Sequence, residues 1–443
     1  MNKVFEWSIV VSLAGFLFGF DTIVISGVDK TLQALWSSSD LFHGTVVMAM
    51  ALWGTVIGAI AGSVPTNALG RKRTLILIGA LYFISALGSA SVSDPYSFAF
   101  FRFIGGVGVG ASTIAAPAYI SEIAPTKSRG RLVGLYQFSI VVGVLIAFIS
   151  NYLLSGIGEN AWRWMIGVEA LPALIYGILV FRVPKSPRWL IMKGRKNEAS
   201  EIVRMIDPSK GFDSYVAAIT TETTSVVENI FLKKYRKPLL LTFFIAFFNQ
   251  FSGINAFWYY APRIFEEAGL GTSSALLSSV GIGFFNVVFT LIGVLLIDKW
   301  GRRKLMYAGS FGYILSLSVV ACSFLLNWEE IIVVMSLFVF VAAHAMGQGT
   351  VIWVFISELF PNHLRASGQA FGSSIHWVLA ALIPSFIPVL FTSVGAGVVF
   401  AFFAGMMLLQ LGWVHFKMPE TKGISLEKVS RSLLSTDNDK KIK

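Results

Sequence analysis

A short basic signature occurs twice in this chain. Gly70-Arg71-Lys72-Arg73 returns as Gly301-Arg302-Arg303-Lys304. Likewise Ser121-Glu122-Ile123-Ala124-Pro125 with Arg129 returns as Ser357-Glu358-Leu359-Phe360-Pro361 with Arg365. Both repeats recur at nearly the same offset, so the chain reads as two homologous halves joined near its middle. Around the signatures run apolar stretches near or above the roughly 20 residues that cross a hydrocarbon core. About twelve spans are expected, starting near residues 7, 44, 74, 98, 133, 164, 238, 275, 305, 331, 368 and 394. Of 443 residues, 55% are hydrophobic and only 13% charged, which excludes an ordinary soluble domain. The expected fold is therefore an all-α membrane protein with twelve transmembrane helices in two homologous six-helix halves. Residues 1–182 form the N-terminal half, 183–237 a cytoplasmic linker with short helices, 238–417 the C-terminal half and 418–443 a cytoplasmic tail.

A net charge of +11 raises the question of a polyanionic partner, and its distribution answers it. Arg71, Lys72, Arg73, Lys127, Arg129, Arg131, Lys299, Arg302, Arg303, Lys304 and Arg365 fall in alternate loops, whereas Asp94, Glu159, Glu329 and Glu330 fall in the loops between. The positive-inside rule then places the basic loops and both termini in the cytoplasm. No nucleic-acid partner is needed. Lys3 before an apolar run resembles a signal peptide, but no small-residue cleavage site follows and Asp21-Thr22 stands where one belongs, so this is read as the first span. Cys322 is the one cysteine and lies within a span, which excludes disulfides.

Pro184 and Pro187 end the sixth span. Beyond them, Ala199, Ile202 and Val203 recur at helical spacing among charges, predicting amphipathic helices under the bundle. The polar run from Ser435 to Lys443 is expected to be disordered. Gly105, Gly106, Gly108 and Gly110, then Gly281, Gly283 and Gly293, suit close helix contact in lipid. The first group superficially matches a dinucleotide loop, but no strand–turn–helix surrounds it.

Ionised side chains inside spans cost at least about 2.5–3.5 kcal/mol each, so they need a partner or a wet path. Asp21 lies late in the first span and Arg102 early in the fourth, both toward the outer side, where they can meet. Asp21 then reads as a proton acceptor whose affinity Arg102 sets. The alternative is a fixed structural ion pair. Asn249, Gln250 and Asn255 on the seventh span, Asn286 on the eighth and Gln137 on the fifth offer paired donors and acceptors for an uncharged polyol. Trp353, His376 and Trp377 add flat faces for a sugar's C–H surface. Each amide alone also fits an interhelical hydrogen bond. Arg71, Glu122, Arg129, Arg302, Glu358 and Arg365 sit at cytoplasmic helix ends, where ion pairs between the halves would form a gate. Their alternative is ordinary loop charge that sets topology.

Taken together, Gly19-Phe20-Asp21 with Ile25-Ser26-Gly27, Arg102 before Gly105, Glu122 to Arg129, Pro184 to Leu190, Gln250 to Ala256, Asp298 to Arg303 and Pro419-Glu420-Thr421 resemble the sugar porter family of the major facilitator superfamily over nearly the whole chain. The resemblance implies the major facilitator fold, alternating access by rocking of two halves, and monosaccharide transport without ATP. It implies that Asp21 and Arg102 match the proton-coupling pair of bacterial pentose symporters, where facilitative glucose transporters carry Asn at the acid position. Gln137, Asn286 and Trp353 stand where relatives contact sugar. Asn249 replaces the first Gln of the family's helix-seven motif, and His376 stands where relatives have Asn or Gln. Gly347-Gln348-Gly349-Thr350 lacks a common proline, Lys185 replaces a Glu, and Asn67 replaces an acid.

The expected function is proton-coupled import of a hexose or pentose across the cytoplasmic membrane by a monomer. A facilitative uniporter with a structural Asp21–Arg102 pair is the alternative, and a non-transporting sugar sensor a more distant one. Five His and one Cys show no nucleophile–base set or metal-ligand spacing, so no enzyme, metal or cofactor is expected. Asp21 is the one cavity acid found, which argues against an efflux carrier for cations.

Overall fold

The computed structural model describes residues 3–125, 128–206, 212, 216, 228–424, 428–429 and 432–433. Lys127 and the stretch from Ser435 onward lie outside the described residues. Among the described residues, twelve helices are long and apolar enough to cross a bilayer. The first six are Lys3–Gly27, Asp40–Ala68, Arg71–Ser91, Pro95–Ile123, Arg129–Leu154 and Ala161–Phe181. The second six are Lys233–Glu267, Thr272–Trp300, Arg302–Leu326, Glu330–Leu359, Arg365–Val394 and Ala396–Phe416. Most begin about a turn before the apolar run that signals them, because a polar or basic first turn such as Arg71, Arg129 or Arg302 is already helical. Two compact units divide between Ser225 and Val226, inside the linker.

In the N-terminal unit the first span packs on the fifth, and the fourth on the second and third. Glycine permits these contacts. A Cβ at Gly106 would lie 1.9 Å from the Ala51 carbonyl oxygen, and one at Gly19 would lie 2.0 Å from that of Ile140. Lipid supplies no hydrophobic force between helices, so close backbone approach of this kind carries the packing. In the C-terminal unit the ninth span packs on the tenth and twelfth, and the seventh on the eleventh.

Five spans are irregular, and the irregularities fall where polar side chains collect. The first ends in a 3₁₀ turn, Ile25–Gly27. The second opens with a π-turn, His43–Met48. The sixth divides between Gly167 and Ala170. The seventh breaks between Gln250 and Ile254, where Gly253 has φ +82°. The tenth contains a π-turn, Ala345–Gly349. Backbone breaks at membrane depth persist only where protein or water satisfies the freed groups, which marks them as built features.

The first part of the linker belongs to the N-terminal unit. Ser186 caps helix Pro187–Met192 by accepting from Trp189 N, and Trp189, Leu190, Ala199 and Ile202 form a small core. Trp189 Nε1 donates to the Asn67 carbonyl at 3.0 Å. In the C-terminal unit Glu228 is held by Lys234 at 2.5 Å, Tyr235 at 2.6 Å and His363 at 3.1 Å. These partners pull its carboxyl down to about 2.

Candidate functional site

Asp21 lies in the last turn of the α-helical part of the first span, where it presents a carboxylate and a main-chain carbonyl. Arg102, fully buried on the fourth span, uses both. Its Nη1 donates to Asp21 Oδ1 at 2.6 Å and its Nη2 to the Asp21 main-chain oxygen at 2.7 Å. The guanidinium thus grips a carboxylate and a helix end together. Gly105, one turn after Arg102, leaves the necessary room, since a Cβ there would lie 2.4 Å from Ser85 Oγ and 3.2 Å from Asp21 Oδ1. This glycine does more than pack.

A second acid completes the group. Glu169 stands at the division of the sixth span, 1% exposed, within electrostatic reach of both Asp21 and Arg102. The expectation of Asp21 as the one cavity acid is corrected: two carboxyls face one guanidinium. A separate buried pair joins His43 Nε2 to Asp29 Oδ1 at 2.6 Å.

In the C-terminal unit the break of the seventh span gathers its three amides. Asn255 Nδ2 donates to Gln250 Oε1 at 2.7 Å, and Gln250 Nε2 donates to Asn249 Oδ1 at 2.9 Å. Gln250 Nε2 also lies 3.0 Å from His376 Nδ1. The His376 ring is edge-on to both Trp353 and Trp377, with centroids 5.1 and 4.9 Å away. Amides, imidazole and two indoles therefore form one contiguous cluster, in which Asn249, Gln250 and Trp377 are buried and Asn255, Trp353 and His376 half-buried. Asn286 is buried on the eighth span but is outside this hydrogen-bonded set among the described residues. Gln137 lies in the other unit with its side chain exposed.

Where the third and ninth spans begin, the two halves repeat one construction. Gly70 (φ +87°) and Gly301 (φ +91°) open the third and ninth spans. Arg71 Nε donates to Glu122 Oε1 at 3.0 Å, and Ser186 Oγ donates to Glu122 Oε2 at 2.5 Å. Correspondingly, Arg302 clamps Glu358 through Nε at 3.1 Å and Nη2 at 2.7 Å, and Thr421 Oγ1 donates to Glu358 Oε2 at 2.6 Å. Asn67 and Asp298 accept from the same arginines at 3.3 and 3.1 Å. These ion pairs of Glu122 and Glu358 lie within each half. Arg129 is exposed, and Arg365 Nε donates to the Ser357 carbonyl at 3.0 Å.

Residues 7–433 match the model of a family described as sugar (and other) transporters. The chain belongs to the sugar transporter family. Among its relatives are a D-xylose transporter of Levilactobacillus brevis, 34% identical over 95% of this chain and 94% of the relative, and an arabinose-proton symporter of Bacillus subtilis, 33% identical over 97% and 95%. The inward-open structure of the xylose transporter XylE from E. coli is 30% identical, covers 97% of this chain and 99% of that one, and superposes with a TM-score of 0.87. As a member of this family the chain is a secondary transporter, not an enzyme.

Reading this sugar transporter from its sequence misses Glu169, Gln348, Gln410, Ser186 and Thr421 as working residues. Glu169 did carry a signal, a lone acid inside an apolar span three residues before Pro172. Ser186, Thr421 and Gln348 stand in segments the sequence already singles out, but their partners appear only once the helices pack.

Proposed function

We propose that this chain is a proton-coupled symporter that imports a monosaccharide, hexose or pentose, across the cytoplasmic membrane by alternating access. It works as a monomer with both termini in the cytoplasm. The observation that carries the reading is the buried Asp21–Arg102 pair with Glu169 beside it. With both carboxyls ionised the trio holds one negative charge without a counterpart, and an unpaired charge away from water is costly. A proton taken up by Asp21 removes that charge and loosens the grip of Arg102 on Asp21 Oδ1, while sugar binds the amides, His376 and the indoles. Coupling requires that the helices exchange conformations readily when both proton and sugar are bound. The cytoplasmic carboxylates Glu122 and Glu358 hold each half's inner helix ends together, and their arginine pairs form the proposed gate.

One feature favours a uniporter instead. Arg102 also holds the Asp21 main chain at 2.7 Å, a bond that survives protonation of the carboxyl. Uptake of labelled D-xylose, L-arabinose, D-glucose and D-galactose into proteoliposomes, with and without an inward proton gradient, separates the two. Symport predicts accumulation above the outside concentration only with the gradient. Equal final levels in both conditions establish the uniporter.

A further inference from the structure

The amides of the seventh span do not end at the sugar-facing surface. They continue inward as one directional chain. Asn249 Nδ2 donates to Gln348 Oε1 at 3.3 Å, and Gln348 Nε2 donates to Gln410 Oε1. Gln410 Nε2 then donates to Ser310 Oγ at 2.8 Å, and Ser310 Oγ donates to the Met306 carbonyl at 2.7 Å. Gln348, Gln410 and Ser310 are fully buried, on the tenth, twelfth and ninth spans. Apolar residues would fill those positions without any desolvation cost, so three interlocked polar side chains need a reason.

The inner end supplies one. A main-chain carbonyl only accepts, so Ser310 must direct its proton at Met306 and present a lone pair to Gln410. Gln410 then turns its NH₂ to Ser310 and its oxygen to Gln348. The same logic orients Gln348, Asn249, Gln250 and finally Asn255. A free amide can flip and exchange donor for acceptor, but a member of this chain cannot flip alone. We infer that Gln348, Gln410 and Ser310 are positioning residues: through this relay they fix which ends of Asn249, Gln250 and Asn255 are donors and which acceptors, and so set which hydroxyl configuration the transporter accepts. The inference rests on the sugar-binding reading of those three amides. A hydroxyl at one ring carbon that meets the wrong amide end leaves a buried polar group unpaired, which is how hydrogen-bonding sites reject near-identical substrates.

The relay extends away from the sugar, so it is testable without touching a contact. The probes are D-glucose with its C4 epimer D-galactose, and D-xylose with its C4 epimer L-arabinose, in gradient-driven proteoliposome uptake. Gln410→Leu removes the acceptor for Gln348. It is expected to raise KM for the preferred sugar about tenfold, leave maximal rate within about twofold, and reduce the epimer preference at least about fivefold. Ser310→Ala removes only the anchor that sets direction and should shift KM and epimer preference the same way by about threefold. Ser310→Thr keeps the hydroxyl and should restore wild-type selectivity. If Gln410→Leu fails to insert, Ser310→Ala against Ser310→Thr decides. A fall in maximal rate with KM and epimer ratio unchanged overturns the relay and leaves the sugar site standing. Wild-type protein that takes up none of the four sugars defeats the sugar site, and the relay with it.

Discussion

Replacing Asp21 with Asn separates coupling from architecture. The Asn side chain keeps an oxygen where Arg102 Nη1 now meets Oδ1 at 2.6 Å, and the 2.7 Å bond to the main chain is untouched. Removing one partner of a buried ion pair ordinarily costs about 3–5 kcal/mol, because the other charge is stranded. Here Glu169 lies within electrostatic reach of Arg102 and can ionise in place of Asp21, so the loss should fall to about 1–2 kcal/mol, near that of one charge-assisted hydrogen bond. The transport consequence is larger. A one-unit inward pH gradient stores about 1.4 kcal/mol per proton, enough to concentrate sugar about tenfold at one proton per sugar. Asn cannot take the proton that releases Arg102, and Glu169 holds no bond to Arg102 to release, so accumulation should fall to equality while counterflow exchange persists. Proteoliposomes assayed for both net accumulation and exchange provide the readout, with thermal stability measured alongside. An Asp21→Asn protein that still concentrates sugar about tenfold refutes the assignment. In the double variant Asp21→Asn, Glu169→Gln, Arg102 has neither acid and the full penalty of about 3–5 kcal/mol should appear as a lower Tm.

Gly105→Ala puts a methyl 2.4 Å from Ser85 Oγ and 3.2 Å from Asp21 Oδ1. It should cost about 1–3 kcal/mol by overpacking and lower gradient-driven uptake more than exchange, as parallel flux assays will show. Glu358→Gln strips the charge that clamps Arg302 and accepts from Thr421. A loss of about 1–3 kcal/mol is expected, read as a lower Tm in detergent, and unaltered stability and transport would reduce the pair to loop charge. His376→Asn removes the ring between Trp353 and Trp377 but keeps a polar partner for Gln250. The hexose-to-pentose preference should change while accumulation per unit of pH gradient stays constant.

The parts of the molecule visible in the sequence are those written in local patterns. Twelve apolar runs announce twelve helices, and repeated Gly-Arg and Glu-Arg signatures announce the two halves before any coordinate is known. Asp21 and Arg102 are legible as a pair because a charge in lipid needs a partner and both lie at the same depth. What stayed hidden depends on packing between distant segments. Arg71 finds Glu122 across 51 positions, and Gln348 finds Gln410 across 62. No periodicity marks either meeting. Glu169 is a different case, since a lone acid in an apolar run was readable but lacked a visible partner. The buried pair of His43 and Asp29 hid because each residue reads as an ordinary polar group flanking a span.

Proton movement coupled to sugar movement distinguishes the symporter from a uniporter. A pH electrode in a lightly buffered suspension of proteoliposomes, with no imposed gradient, reads it directly when a transported sugar is added outside. Immediate alkalinisation of the medium is expected, one proton per sugar taken up, absent in Asp21→Asn. Sugar entry at the wild-type rate with no change in external pH would contradict symport.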